Sequence, residues 1–565
     1  MAETKEWTLM FYFASDNPLA ISIVSQLKAI KSAGFHPEAN VIAQFDPFTE
    51  GTPTHIFDVN LINKLKNHGA PNIGFDGDDP IVRKLIEDKL WRKQLTRDGK
   101  QVSEVLKEVL KNDHLSYKPP LPPNGRSASP AAGSGGYQEL DPQTSLKAFL
   151  SFCSEKYPAR HYMLFILGHG VVVGNDVFLF DEHAEKHSLT LTDLGVVLGD
   201  FKNDVERDGG EFELISFHSC SVSSLEVAYQ LKGTAKYMLA SQGPSFVGSW
   251  PYRQILIRVF NDLVRLGSNI DIREMLERIF YYCLHNSADF LLAGYSFQLT
   301  LCDLTKISDL KVPVEMLSKA LVEGLSDPSC IDHILLSHWK AQSFYQEMYT
   351  DLYDFCFCLS NRCNEITKSG QTLTAKLQTI NNACSEVMDN LVKENPKKDR
   401  RQGDRPLKEQ IIVCAEYAGP SYQYSRGLSV YFPWSQPSDD SRILRSYAEY
   451  DFHKDFEISW LTFLQTYFFA TQRAPSREEP DERRFVPELT PVQILQEDIA
   501  SLVYHEEGPL SGYSLAGPKT DPKDATGGDC DCPSIKNYPR DIRPRGDRRK
   551  QVRQPLPLGE MFFGS

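Results

Sequence analysis

The chain has 565 residues, of which 41% are hydrophobic and 24% are charged. This is the composition of ordinary globular domains, so it excludes a disordered, collagen-like or coiled-coil protein. At roughly 150 residues per domain, the length corresponds to about three to four domain-sized units. The 61 basic and 75 acidic residues leave a net charge of −14. Because a phosphate backbone requires a basic surface, nucleic acid is not expected as a partner.

The chain shows neither a membrane segment nor a disulfide framework. Its most apolar region, residues 162–180, is interrupted by three glycines and predicts two buried strands rather than a membrane span. The first residues lack the basic, apolar and small-residue succession of a signal peptide. The 12 cysteines lie in apolar runs without regular spacing, which is typical of reduced, buried thiols. We therefore expect a cytoplasmic monomer that does not bind membranes.

The first half of the chain alternates predicted strands with predicted helices. Apolar runs predict the strands and helical spacing of apolar residues predicts the helices. In chain order they are strand Trp7–Phe13, helix Leu19–Ala33, strands Asn40–Phe45 and His55–Val59, helix Leu146–Lys156, strands His161–Leu167 and Val177–Asp181, helix Leu191–Val205, strand Glu213–Phe217, helix Ser221–Lys232 and strand Tyr237–Ala240. This alternation predicts an α/β fold, with a mostly parallel sheet flanked by helices on both faces.

The second half is mainly helical, with three further predicted strands at Phe297–Leu304, Ile411–Tyr417 and Gly427–Phe432. We divide the chain into a core at 1–250, a helical region at 251–470 whose strands complete or extend that core, and a largely disordered tail at 471–565. Prolines and small residues also predict a flexible insertion within the core at about 113–143.

Two segments that directly follow predicted strands carry the residues suited to catalysis. Gly168-His169-Gly170 follows one strand, and Ser219-Cys220 follows another. Ligands of open α/β sheets bind at the carboxyl ends of the strands, so we expect the imidazole and the thiol to line one open crevice. The histidine would activate the thiol as a base or ion-pair partner. The N–H groups of Gly170 and Cys220 would face a developing oxyanion, and Cys220 would open the following helix.

Residues Phe217–Leu231, which read FHSCSVSSLEVAYQL, resemble the nucleophile segment of the clostripain family of cysteine peptidases. Further similarities follow in the family's order: the strand and turn around Phe11–Leu19, the Gly168-His169-Gly170 motif, the loop Ser241–Tyr252 and the late strand Gly427–Pro433. The resemblance covers about residues 7–467 and implies a caspase-like fold. It also implies a catalytic dyad of His169 and Cys220, an acyl-enzyme and a polypeptide substrate.

The sequence departs from the family in the pocket for the residue before the cleaved bond, the P1 residue. The resemblance implies an acidic residue two places before the cysteine, but this chain has His218, and Gln242 stands where the family has Glu. Substrate-binding residues by resemblance are His218, Ser241 and Trp250. An unpaired basic side chain is costly to bury, so cleavage after Arg or Lys is doubtful unless acids elsewhere compensate.

The resemblance implies activation by self-cleavage and, in some relatives, calcium dependence. Lys186 is the basic residue available for cleavage after the histidine motif. No Asp-rich loop has the spacing of calcium ligands, so we predict no metal and no other cofactor.

Other interpretations are open but less favoured. The main one is a caspase-like scaffold that is catalytically inactive and binds peptides or protein partners. The glycines around Val171–Val173 have the wrong spacing for a dinucleotide-binding turn, and His183 and His187 lack the glutamate of a zinc-protease helix. Cys356, Cys358 and Cys363 lack the spacers of a zinc site. The basic residues from 536 to 553 are more simply a solvated tail.

Overall fold

A computed structural model describes residues 4–17, 19–34, 36–46, 55–59, 116–117, 140–170, 178–179, 181, 184, 188–286, 296–345, 348–392, 411–419, 421–434 and 443–472. Within these residues, every helix is too short or too polar to cross a bilayer. Most of the insertion predicted at 113–143 and nearly all of the tail predicted at 471–565 lie outside the described residues.

Nine strands of the described residues form one sheet. In chain order they are β1 Lys5–Phe13, β2 Ala39–Phe45, β3 His55–Asp58, β4 Ser116–Tyr117, β5 Ala159–Leu167, β6 Glu211–His218, β7 Tyr237–Ala240, β8 Phe297–Asp303 and β11 Ile412–Ala418. Their spatial order is β11-β8-β7-β6-β5-β1-β2-β3-β4. The five central strands, from β7 to β2, are parallel, whereas the pairings outside them are antiparallel. The carboxyl ends of the five parallel strands therefore share one edge of the sheet.

Helices cover both faces of this sheet, as the alternating pattern predicted. They are α1 Ala20–Lys31, α2 Pro142–Lys156, α3 Leu191–Arg207, α4 Leu225–Gln230, α5 Tyr252–Leu266, α6 Ile272–His285, α7 Lys311–Gly324, α8 Pro328–Lys340, α9 Leu352–Lys368, α10 Ala375–Leu391, α11 Ile443–Ala448, α12 Asp451–Lys454 and α13 Trp460–Gln472. Residues of α1, α5 and α6 form one core with one face of β1, and residues of α2, α3 and α4 form a second core with the opposite face. Side chains of β1 alternate between the two cores because successive strand residues point to opposite faces.

A second, three-stranded sheet lies beside the main one. It consists of β9 Ser343–Phe344, β10 Tyr349–Asp351 and β12 Ser429–Tyr431, in the order β12-β10-β9 with antiparallel pairing. Trp460 of α13 donates its indole N–H to the carbonyl of Tyr431 at 2.9 Å, which joins the last helix to this sheet.

Two predicted elements were wrong where the structure describes them. Phe178 and Leu179, from the predicted strand Val177–Asp181, form a turn, and Leu179 has a positive φ of 50°. The helix predicted over Ser221–Lys232 spans only Leu225–Gln230. Helical spacing of apolar residues indicated a helix here but did not mark its ends, and all six residues of the helix are buried.

Candidate active site

The strands that carry the two candidate catalytic residues end side by side. β5 and β6 pair as far as Leu167 and His218, so the segments that follow them leave the sheet at the same edge. His169 and Gly170 belong to one segment and Cys220 to the other. A Cβ atom added to Gly170 would lie 1.7 Å from the carbonyl oxygen and 2.4 Å from the nitrogen of Cys220. Only glycine permits two backbones to approach this closely.

The backbone around Cys220 turns sharply before the next helix begins. Ser221 has a φ of 54°, which is the left-handed region that side-chain-bearing residues rarely adopt. Its N–H donates to the carbonyl of Gly243 at 3.0 Å, and the N–H of Ser223 donates to the carbonyl of Ser241 at 2.9 Å. Helix α4 begins only at Leu225, where Ser224 is the N-cap. The expectation that Cys220 opens this helix was therefore wrong.

The crevice at this edge of the sheet is closed, which corrects the expectation of an open one. Cys220 is 2% exposed and His169 is 1% exposed. The N–H of Ser245 lies 3.3 Å from the sulfur of Cys220, and the thiol lies 3.6 Å from the carbonyl of the same serine. Behind this loop, a Cβ added to Gly243 would lie 3.1 Å from the ring of Tyr422. The loop at 243–246 therefore lies against the sulfur through Ser245.

The buried imidazole of His169 is uncharged at neutral pH. Burial lowers its pKa to about 3, because a buried imidazolium loses its hydration. At neutral pH the ring is therefore uncharged and can accept a proton from a thiol or from water.

His218 is enclosed rather than open to solvent. Its Nε2 lies 2.5 Å from the carbonyl of Phe246, and its Nδ1 lies 3.0 Å from the hydroxyl of Tyr252. Its ring stacks on Trp250 with the ring centroids 5.0 Å apart. Burial lowers the pKa of His218 to about 3, and the carbonyl of Phe246 opposes this only in part. The imidazole is therefore neutral, and each of its nitrogens lies within hydrogen-bonding distance of a partner.

The other two predicted substrate-binding residues lie on the loop that follows β7. The hydroxyl of Ser241 donates to the carbonyl of Gly243 at 3.1 Å, so it shapes the loop. Trp250 is 1% exposed, and its indole N–H has no hydrogen-bond partner among the described residues. Both residues lie on the loop that covers the sulfur, and neither faces solvent.

Sequence reasoning missed Ser245, which contacts the sulfur of Cys220, and Tyr422, which packs against the same loop. Ser245 lies in a loop for which the sequence indicated only general similarity, and its backbone, not its side chain, contacts the sulfur. Tyr422 is distant in sequence and has no motif around it. A loop contact made by backbone atoms, or by one aromatic ring, has no periodic or compositional signature that a single sequence could show.

Glu226, the glutamate of the resembling segment, joins the site to the C-terminal part of the chain. It is fully buried in α4 and accepts hydrogen bonds from the N–H of Tyr431 at 2.8 Å and the hydroxyl of Tyr447 at 2.6 Å. Burial raises its pKa, and these two donors oppose the shift. Glu226 therefore fixes α4, and with it the segment after Cys220, against β12 and α11.

One cluster of potential metal ligands lies among the described residues, at the edge of the sheet opposite to Cys220. It contains His161, Glu211 and Glu213, near the starts of β5 and β6. The ammonium of Lys236 pairs with Glu211 and lies 3.2 Å from Glu213, whose other oxygen lies 2.7 Å from His161. Because calcium prefers a set of oxygen ligands without a competing cation, this cluster does not fit it.

The segments that carry His169 and Cys220 thus leave neighbouring parallel strands at the same edge of a helix-covered sheet. Residues 136–475 match the model of the clostripain family, so the chain belongs to this family of cysteine peptidases. None of the curated proteins compared with the chain matches it.

Solved structures of bacterial proteases of the same family also resemble the chain. One is a secreted C11 cysteine protease from Bacteroides thetaiotaomicron with an irreversible peptide inhibitor, at 13% identity and a TM-score of 0.44, covering 82% of this chain and 99% of that one. Another is an inactive zymogen C11 protease from Parabacteroides distasonis, at 14% identity and a TM-score of 0.41, covering 81% and 99%.

Proposed function

We propose that the protein is an endopeptidase in which Cys220 is the nucleophile and His169 is the general base. The contact between Gly170 and the backbone of Cys220 carries this proposal, because it holds the histidine segment against the cysteine segment. At neutral pH the imidazole of His169 is uncharged, so it has a ring nitrogen that can take up a proton. Action in the cytoplasm, as a monomer and without a cofactor, stays a prediction from the sequence.

In the first step His169 takes the thiol proton as the sulfur attacks the scissile carbonyl. A bond forms between the sulfur and the carbonyl carbon, and the oxygen becomes an oxyanion near the N–H groups of Gly170 and Cys220. As the C–N bond breaks, His169 gives its proton to the leaving amine. The product is a thioester on Cys220 and a free amino terminus.

In the second step water replaces the amine. His169 takes a proton from the water while the water oxygen attacks the thioester carbon. The C–S bond then breaks, His169 returns the proton to the sulfur, and the acid fragment leaves. Proton transfer by a positioned histidine contributes roughly 10²–10⁴-fold to such steps.

Turnover of a mixed peptide library by purified variants tests the dyad. We expect Cys220→Ala to lose at least about 10³-fold in kcat/KM, and His169→Ala to lose roughly 10²–10⁴-fold. Cys414→Ala is the matched control, because Cys414 is a half-buried free thiol on β11, far along the sheet from the site. Equal activity of the Cys220→Ala and wild-type proteins would contradict the proposal.

A second candidate function is an inactive scaffold that binds peptides. The 2% exposure of Cys220 favours it, because a sealed sulfur cannot attack a peptide bond. A thiol-reactive peptide probe distinguishes the two functions. Labelling that is lost in Cys220→Ala and weakened in His169→Ala supports the enzyme, whereas labelling that is equal in all three proteins supports the scaffold.

A further inference from the structure

The P1 side chain must lie close to the sulfur of Cys220, whatever the substrate. In the acyl-enzyme the P1 carbonyl carbon is bonded to that sulfur, so the P1 Cα lies roughly 3 Å away. The groups around Cys220 therefore lie beside the first atoms of the P1 side chain. Among the described residues these groups include the neighbours Ser219 and Ser221 and the loop residue Ser245.

His218, two residues before Cys220, carries no charge that could balance a charged P1 side chain. His218 is uncharged, and its two nitrogens already contact Phe246 and Tyr252. It therefore offers no anion to a basic P1 residue and no cation to an acidic one.

Asp351, the acid that pairs with Gln242 of the loop, has its carboxylate fully occupied by hydrogen bonds. Gln242 donates from its side-chain nitrogen to Asp351 at 3.0 Å and accepts from the N–H of Gly427 at 3.1 Å. Asp351 also accepts hydrogen bonds from the N–H groups of Arg426 at 2.6 Å and Asp354 at 2.8 Å. Through the second of these bonds, Asp351 is the N-cap of α9. Its carboxylate therefore holds loops and a helix together and sits behind Gln242.

Neutral hydrogen-bonding groups, in contrast, are available beside the sulfur. The hydroxyl oxygens of Ser219, Ser221 and Ser245 are buried and have no hydrogen-bond partner among the described residues. Ser219 and Ser221 flank Cys220 in sequence, and Ser245 contacts its sulfur. Buried polar groups without partners are uncommon, and a bound substrate group that pairs with them would gain affinity and selectivity.

We propose that the enzyme cleaves after an uncharged residue with a hydrogen-bonding side chain, of the asparagine or glutamine type, and not after Arg, Lys, Asp or Glu. This inference rests on the proposed function. Ser219 and Ser221 flank the nucleophile in sequence, Ser245 contacts its sulfur through the backbone, and the carboxylate of Asp351 is already paired. A charged P1 side chain would be buried without a partner there.

Fluorogenic peptides that differ only at P1 test the preference, with Asn, Gln, Leu, Arg and Asp in turn. We expect kcat/KM for Asn or Gln to exceed that for Arg and Asp by at least about 100-fold. Arg or Asp peptides cleaved as fast as the Asn peptide would overturn the inference and leave the peptidase intact. If no peptide is cleaved and no matched peptidyl probe forms an adduct on Cys220, the proposed function falls and this inference with it.

Ser245→Ala separates the hydroxyl from the backbone contact. This variant keeps the N–H that contacts the sulfur and removes only Oγ, so we expect the ratio of Asn to Leu cleavage to fall by about tenfold. Ser318→Ala is the matched control, because Ser318 is also fully buried with an unpartnered hydroxyl, but on α7. An unchanged ratio in Ser245→Ala, or an equal fall in both variants, would overturn the role of this hydroxyl.

Discussion

At the scale of single residues, Gly170 is a position that leaves no room for a side chain. Any side chain there would overlap the backbone of Cys220, since the added Cβ would fall 1.7 Å from a carbonyl oxygen. We expect Gly170→Ala to lower kcat/KM by at least about 100-fold, because β5 and β6 must separate where they carry the two reactive groups. The measurement is the rate at which the purified variant hydrolyses a peptide that the wild type cleaves.

Gly199→Ala is the control for that experiment. Gly199 lies inside α3, and nothing lies within 4 Å of the Cβ that the substitution adds. The higher helix propensity of alanine should raise the free energy of unfolding by about 0.5–1 kcal/mol without changing activity. An active Gly170→Ala protein would contradict the close approach of the two segments.

His453 provides a prediction of pH dependence that is separate from catalysis. Both of its ring nitrogens are buried without a partner among the described residues, and burial lowers its pKa to about 3. The unfolded chain, whose histidine pKa is near 6.5, takes up a proton that the folded chain does not, so stability is lost as pH falls from about 6.5 towards 3.

We expect His453→Phe to remove this loss. On going from pH 7.5 to pH 5, the free energy of unfolding should fall by about 2 kcal/mol less in the variant than in the wild type. Urea unfolding at the two pH values measures the difference. Parallel decreases in both proteins would show that His453 does not titrate in this way.

At the scale of elements, the segment at 421–434 packs against the loop that contacts Cys220. Tyr422 lies against Gly243, and Ser245 of the same loop contacts the sulfur of Cys220. We expect Tyr422→Ala to raise the rate of Cys220 alkylation by iodoacetamide about three- to tenfold, because the loop loses the ring that holds it down. Tyr422→Phe keeps the ring and should react at the wild-type rate. Slower alkylation in Tyr422→Ala would contradict the covering role.

The strands around the site could be predicted from the sequence, and the turn after Cys220 could not. Continuous apolar runs marked β1, β5 and β6 because strands buried on both faces have no polar side to show. The segment from Ser221 to Ser224 had apolar spacing compatible with helix. Two hydrogen bonds to the loop after β7, together with the N-cap at Ser224, determine its path instead. These are tertiary contacts, which local periodicity cannot reveal.

At the scale of the whole molecule, α13 completes the second core. Five of its side chains are at most 1% exposed, namely Trp460, Phe463, Leu464, Tyr467 and Phe468. Each buried side chain of this size contributes about 1.5–3 kcal/mol, so their sum rivals the total stability of a domain. We expect a chain that ends after Ile458 not to fold cooperatively, and one that ends after Gln472 to keep the unfolding midpoint of the full chain. Calorimetry of both truncations decides this, and cooperative unfolding of the shorter chain would contradict it.

It was predictable at this scale that the segments carrying His169 and Cys220 would leave the sheet at one edge, because parallel strands must present their carboxyl ends at one edge. The closure of that edge could not be predicted from the sequence. It depends on the chain returning from β11 towards β12 and placing Tyr422 over a loop that is far away in sequence. The sequence also predicted strands at β11 and β12, but nothing in their residues showed that β11 would extend the main sheet and β12 would join a separate one.

Trapping of the acyl-enzyme tests the central claim most directly. A peptide that the enzyme cleaves is mixed with it, and the reaction is quenched in acid during turnover. The protein is then digested, and its fragments are mapped by mass spectrometry. We predict one added acyl group, on Cys220, which is absent from Cys220→Ala and much reduced in His169→Ala. Turnover with no acyl group on Cys220, or with the group on another cysteine, would contradict the account.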